Sequence, residues 1–551
     1  MPRATAPTFV TTVELLVDSQ QAKILRKRFD AARMVYNACL SHYLKRTQRL
    51  RDSKDYRRYK GMKSAGKNKE AKALFRSLIE KFQLREFDTN YVASTKGLNW
   101  LGDHIGTKEA MATRQRAYKA FQMWMLSGFR DRRPKMRRRD DIRAVESRTT
   151  GGIKWQVNNR CVTWKRGGKE LVLPAVVDEA DEVLMHGLNS PVKYTRLIRK
   201  VIRGKERFFA QLNNTGQAFR KPLHQPCRGT VGIDIGTQTI AAVSENGALL
   251  APFCEELKRA DAVVRRTQRA LDRSRRQTNP NCFDKKGRWI RGQRFVPSKR
   301  YLKLKKRLTE VKRKEADFRK NLHGQMVAKI LQLGNDVRME KLEFQSFAKR
   351  AKFDKDKPTK KRKRYGKSIG FRAPGMFVAR LEQEAAKWAA TVEQFNPRTH
   401  ALSQTCICGR KAKKSLSQRV HKCECGAEAQ RDLFSAYLCR YVEKNTLHAD
   451  QAQKDWSEHC KALRSAWDKV NADTTVPSSL GLRHRPKSLE NRRKGSAEVG
   501  ATLVVSESRQ KRRKNSGTSV ILDDQKQFSS GDLEATRDSK RSSGDSLEDS
   551  S

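Results

Sequence analysis

The chain has 551 residues, 120 of them Lys or Arg and 59 Asp or Glu, giving a formal net charge of +61. So positive a chain repels itself unless it neutralises an anionic partner, and nucleic-acid phosphate is the default one, which all but excludes an isolated small-molecule enzyme. No apolar run approaches the ~18 residues of a membrane helix, the first residues make a poor signal peptide, and eleven cysteines, four of them crowded into residues 406–425, point to metal and not to a disulfide framework.

In chain order, the β-branched residues of 8–17 predict a strand. From Ser19, the recurrence of Leu25, Phe29, Ala32, Met34, Val35 and Tyr36 predicts helix, continuing with basic interruptions to about residue 140. After Gly151-Gly152 the style changes to short strands over 153–216, punctuated by Gly167-Gly168, Gly204 and Asn213-Asn214. A small β-barrel interrupted by a helical insertion has this order, with one strand before the insertion and the rest after it. A Pro/Cys/Gly stretch, Pro222 to Gly229, precedes the strands TVGIDIG and TIAAVS, a turn at Asn246-Gly247, and ALLAPF. Residues 256–330 predict basic helices broken near Asn279–Gly292. A strand over 336–344 follows, then a charge run over 348–367 and a helix and strand over 376–395. The cysteine cluster comes next, then a helix from about Asp432. From about Ala472 the chain is polar enough to predict disorder.

Three acidic residues stand out. Asp234 lies inside an apolar strand, where burial is expensive without a metal or a satisfied hydrogen-bond network. The glycines flanking it let backbone and ligand approach closely. A strand-end Asp that begins a turn is the plain alternative. Glu340 ends a short apolar strand, with Glu343 a nearby competitor, and Asp432 opens a helix, where a carboxylate also serves as a dipole partner. Together they could converge on paired divalent cations of the magnesium type, which activate water and stabilise the leaving oxygen of a phosphodiester. Cys406-x-Cys408-Gly and Cys423-x-Cys425-Gly, with His421 beside the second pair, suggest a small zinc ribbon with knuckles one residue shorter than usual, a metal-free remnant of the same fold being the alternative. The run Lys360–Arg364 suits phosphate contact better than nuclear import, and Trp155, Trp164, Tyr36 and Phe208 suit a core better than base stacking.

The order of these segments over about residues 229–440 resembles the transposon-encoded TnpB proteins and the miniature type V CRISPR effector nucleases. A GIDIGT strand is followed by basic helices, a strand ending in Glu, a helix, SQTCICG, HKCECG and then RD. The resemblance implies a multidomain α+β fold. A helical recognition lobe (18–144) would be inserted in a small wedge-like β-barrel (1–17 and 145–225). An RNase H-like (RuvC) α/β domain (226–400 and 429–471) would carry a zinc-ribbon-like target-loading module (401–428), and a disordered tail (472–551) would follow. It implies an RNA-guided DNA endonuclease working with two Mg2+ ions on Asp234, Glu340 and Asp432. Arg431 would stand beside the scissile phosphate, and one structural Zn2+ would sit on Cys406, Cys408, Cys423 and Cys425. The implied partners are a guide RNA and target DNA, double- and single-stranded, with no membrane, in a prokaryotic cytoplasm and at the nucleoid when DNA-bound. Such relatives usually carry Asn two residues after the last Asp, where this chain has Phe434. Two other readings stay open: an RNA-guided binder or zinc-ribbon regulator that does not cut, and a carboxylate-triad transposase that needs no RNA.

Overall fold

The computed structural model describes residues 7–130, 132–147, 152–348, 365–415 and 418–473, with Val476 and Leu482. The run Lys360–Arg364 and nearly all of the expected tail lie outside the described residues. Strand β1 (Thr8–Leu15) leads into the 34-residue helix α1 (Ser19–Asp52). Asp18 starts α1 with a capping box: its carboxylate accepts the Gln21 backbone N–H at 2.8 Å, and the Gln21 side chain accepts the Asp18 N–H at 3.1 Å. The predicted stripe is buried, Leu25, Phe29, Ala32 and Tyr36 among it. Helices α2 (Lys54–Ser64), α3 (Asn68–Lys81), α4 (Thr95–Leu98) and α5 (Thr107–Leu126) complete the helical stretch.

Six strands return to β1: β2 (Ala144–Ser147), β3 (Ile153–Gln156), β4 (Cys161–Arg166), β5 (Lys169–Val176), β6 (Val192–Ile202) and β7 (Lys205–Thr215). They form an antiparallel sheet in the order β2-β6-β7-β1-β5-β4-β3, so the strand before the helical insertion lies at the centre. The sheet is a half-barrel with β2 and β3 as its edges, where the sequence suggested a barrel. A helix α6 (Glu182–Asn189), N-capped by Asp181, was not expected among the strands. Trp155, Trp164, Tyr36 and Phe208 are buried in one core shared by the sheet and α1, as core aromatics should be. The Arg28 guanidinium stacks 4.6 Å from the Trp164 ring and donates to the Trp164 and Lys169 carbonyls, fixing α1 on the sheet.

A second sheet follows, built from β8 (Thr230–Ile235), β9 (Thr239–Ser244), β10 (Gly247–Pro252), and, after α7 (Lys258–Thr278) and α8 (Lys299–Leu331), β11 (Asp336–Glu340). The expected strand over 336–344 stops at Glu340, and Phe344–Ala348 forms the short helix α9. After α10 (Gly366–Arg372) and α11 (Pro374–Lys387), β12 (Thr391–Phe395) completes the order β10-β9-β8-β11-β12. The first three strands are antiparallel; β11 runs parallel to both β8 and β12. Val231, Ile233, Ile235, Val337 and Met339 face a core with α8 and α11. The period of two therefore turns Gly232, Asp234, Arg338 and Glu340 to the opposite face. That face is covered by elements beyond α12 (Pro397–His400): the hairpin β13 (Val420–Lys422) and β14 (Glu428–Gln430), helix α13 (Arg431–Cys439), the small hairpin β15 (Val442–Glu443) and β16 (Thr446–Leu447), α14 (Ala449–Lys454) and α15 (Trp456–Ala472). No helix among the described residues is long and apolar enough to cross a membrane.

Candidate functional site

Asp234 and Glu340 lie near the carboxyl ends of the adjacent parallel strands β8 and β11. The register pairs Arg338 with Gly232 and Met339 with Ile233, so Glu340 comes alongside Asp234 one step further on. Asp432 reaches the same place from the first turn of α13. Burial holds the Asp234 carboxyl well above the usual carboxylate range, and the charges of Asp432 and Glu340 push it further, with Arg431 opposing. Burial alone raises Glu340 to about 7. Asp234 thus faces two further carboxylates, and oxygen ligands of this kind suit divalent cations. Among the described residues, however, only Cys406, Cys408, Cys423 and Cys425 bring three or more ligand atoms within 4.8 Å of one another. Thr239 donates its hydroxyl to Asp432 Oδ2 at 3.2 Å, and Arg419 stands 3.9 Å from Asp432 Oδ1. The Arg431 guanidinium donates to the Ser415 and Gln418 carbonyls at 3.1 and 3.4 Å.

Helix α13 is held against the sheet by backbone-level fit. A Cβ on Gly232 would sit 2.0 Å from the Ala436 carbonyl oxygen and 2.7 Å from the Arg440 nitrogen. The close approach predicted for this glycine is therefore to the helix. Arg338, on the face of Glu340, donates to the Arg440 and Val442 carbonyls at 2.9 and 3.2 Å and so closes the C-terminal end of α13. Arg440 in turn donates to the Thr230 carbonyl and pairs with Glu245 at 2.8 Å. At the other end, the Gln430 side-chain oxygen accepts the Asp432 and Leu433 N–H groups at 2.7 and 2.8 Å, an N-cap supplied by the last residue of β14. Gly232, Arg338, Arg440, Gln430 and Thr239 were not singled out for these tasks from sequence. Only the glycine left a signal, and its partner there was ambiguous.

The four cysteine sulfurs at 406, 408, 423 and 425 lie within 4.8 Å of one another. The contacts run across the two knuckles, Cys406 to Cys425 at 3.5 Å and Cys408 to Cys423 at 3.7 Å. A tetrahedral zinc with Zn–S near 2.3 Å places its sulfurs about 3.8 Å apart, so the cluster is compatible with the ion. Gly409 and Gly426, both at positive φ, let each knuckle turn. The Cys425 backbone N–H lowers the Cys423 thiol to about 7, while burial raises Cys406 and Cys425, so of these three only Cys423 is shifted toward the thiolate by its surroundings. His421 packs behind the cluster, its Nε2 3.3 Å from Cys406 Sγ and its Nδ1 against Lys414 Nζ.

Residues 375–438, which carry the four cysteines, Arg431 and Asp432, match the model of the Cas12f1-like TNB domain. The resemblance to TnpB and the miniature type V effectors is borne out. Comparison with curated proteins finds no match. Among solved structures that resemble the chain is a Cas12f1–sgRNA–target DNA complex, 13% identical with a TM-score of 0.41, covering 78% of this chain and 98% of that one. Another is a CRISPR-Cas12f ternary complex, 15% identical with a TM-score of 0.26, covering 76% and 81%. A mini-RNA-guided endonuclease, CRISPR-Cas_phi3, is 12% identical with a TM-score of 0.28, covering 50% and 56%.

Proposed function

We propose that the chain is an RNA-guided DNA endonuclease that hydrolyses phosphodiesters in one RNase H-like (RuvC) site. The observation that supports this reading is that Glu340 and Asp432, from β11 and α13, both act on the buried carboxyl of Asp234 on β8. These three would hold two Mg2+ ions, which when bound activate water and stabilise the departing oxygen. The chain's own part is placement: Thr239 orients Asp432, Gly232 lets α13 come down on β8, and Arg338 with Arg440 keeps it there. Arg431, held by the Ser415 and Gln418 carbonyls, offers its remaining N–H groups to a phosphate. Cys406, Cys408, Cys423 and Cys425 would hold one structural Zn2+. On this reading residues 1–17 with 145–225 form the wedge-like domain, 18–144 the recognition lobe and 401–428 the target-loading module. The +61 charge serves the phosphates of guide and target, with pairing reading sequence and the protein holding the heteroduplex by shape and charge.

The test is cleavage of target DNA by the purified ribonucleoprotein in Mg2+. Asp234→Ala is expected to abolish cutting while guide binding persists, and undiminished cutting overturns the assignment. Cleavage that survives RNase treatment of the protein would instead support an RNA-independent transposase.

A further inference from the structure

The four-cysteine ribbon and the carboxylate site are joined by a buried aromatic contact as well as by backbone. The ring of His421, on β13, stacks on Phe434 with centroids 3.8 Å apart and planes 11° from parallel. Both rings are almost fully enclosed, at 2% and 1% exposure. His421 touches the cluster directly, through Nε2 on Cys406 Sγ at 3.3 Å. Phe434 lies two residues beyond Asp432 in the first turn of α13, and its ring also meets Trp456 in a T-shaped contact, centroids 5.4 Å apart. The backbone runs the same way: β14 ends in Gln430, which caps α13, and the Arg431 N–H bonds the Arg419 carbonyl across the hairpin. Hairpin and helix are thus one unit, and a displaced His421 would carry the helix start with it.

We propose that the metal-bound ribbon positions Asp432 through the His421–Phe434 stack, so that the cysteine cluster sets the divalent-cation affinity of the carboxylate site. This rests on the nuclease reading above. Phe434 and His421 are positioning residues; neither reaches a reacting atom. Changes to groups that support metal ligands cost about 10–100-fold in metal affinity or activity, and an effect near the lower end is expected.

The experiment uses the full chain loaded with zinc, with Mn2+ binding to the carboxylate site followed by electron paramagnetic resonance, zinc content by atomic emission, and folding by circular dichroism. Phe434→Leu, which keeps apolar volume but has no ring to stack, is the deciding variant. It is expected to fold and retain zinc, yet bind Mn2+ about tenfold more weakly, whereas Phe434→Tyr keeps wild-type affinity. Replacing Cys408 and Cys423 by Ser should remove zinc and weaken Mn2+ binding at least as much, and adding Phe434→Leu should then cost less than it does alone, because the two share the stack as a path. Wild-type Mn2+ affinity in Phe434→Leu, or additive losses in the combination, overturns the proposal. Asp234→Ala separates the two levels. If it leaves Mn2+ binding and cleavage intact, the carboxylate site itself is misassigned; if it abolishes both while Phe434→Leu does nothing, only the positioning role falls.

Discussion

Among single residues, Gly232 makes the strictest demand on the sequence. Its missing side chain is where the Ala436 carbonyl sits, and that carbonyl is helix backbone with no rotamer to yield. Gly232→Ala should therefore cost about 1–3 kcal/mol, the usual cost of overpacking a tight interior, and should move Asp432 away from Asp234. Denaturant midpoints and cleavage rates are both expected to fall. Gly61, exposed inside α2 with nothing within 4 Å of where a Cβ would stand, is the control: Gly61→Ala should gain about 0.5–1 kcal/mol of stability. The same contrast explains what could be read at this scale. An Asp in the apolar strand VGIDIG stands out because its burial needs a reason. The cap from Gln430, the Thr239 hydroxyl and the Phe434 stack leave no such mark, since an amide, a hydroxyl or a ring at those positions suits many unrelated contacts.

At the scale of elements, the strand β8 and the break between α7 and α8 were legible because an apolar run and turn chemistry are local. The end of β11 reads two ways in sequence, as a strand ending in Glu340 and as a strand-like run to residue 344, and pairing with β8 and β12 decides for the first. The helix α6 was not legible, being eight residues among strands and marked only by its Asp181 cap. Helix α8 shows how an element can be mostly solvated yet firmly anchored. Its buried residues, His323, Val327, Ile330 and Leu331, all lie toward its C-terminal end. His323 stacks parallel to Phe253 and bonds the Arg372 carbonyl through Nε2 at 2.9 Å. Burial chiefly, with Arg319 and Arg380 adding to it, holds its pKa below the usual histidine value. A histidine lowered in the folded chain takes its proton first in the unfolded one. The stability it contributes is complete above about pH 6.5 and falls as pH drops toward the depressed folded value. The difference in urea midpoint between wild type and His323→Gln, measured at each pH, should shrink as pH falls through that window. The wild-type midpoint alone does not report it, because His42 and His421 add in the same direction while the raised carboxyls of Asp234 and Glu340 act in the opposite one.

For the molecule as a whole, charge is the feature most visible in sequence, and the fold gives part of it a location. An open cavity of about 880 Å3 beside α1 and the first sheet is edged by Lys23, Lys27, Arg139 and Lys169, by Arg26, Arg33 and Arg199 in ion pairs with Glu206, Asp30 and Asp140, and by Trp100, 58% exposed at the rim. Cations clustered beside a bare aromatic suit a nucleic-acid backbone with a base against the ring. If the +61 charge acts by neutralising phosphates, each contact releases a condensed counterion. The logarithm of the RNA association constant should then fall by about 0.7–0.9 per contact for each tenfold rise in salt. Filter binding of structured RNA across a series of NaCl concentrations measures that slope directly. Lys23→Ala with Lys27→Ala should weaken binding and make the slope shallower by about the two contacts removed. The change should be the same for unrelated RNA sequences, because phosphate contacts carry no sequence information. A salt-independent affinity, or a loss confined to one RNA, would mean that these lysines do not meet the backbone and that the excess charge serves something other than nucleic acid.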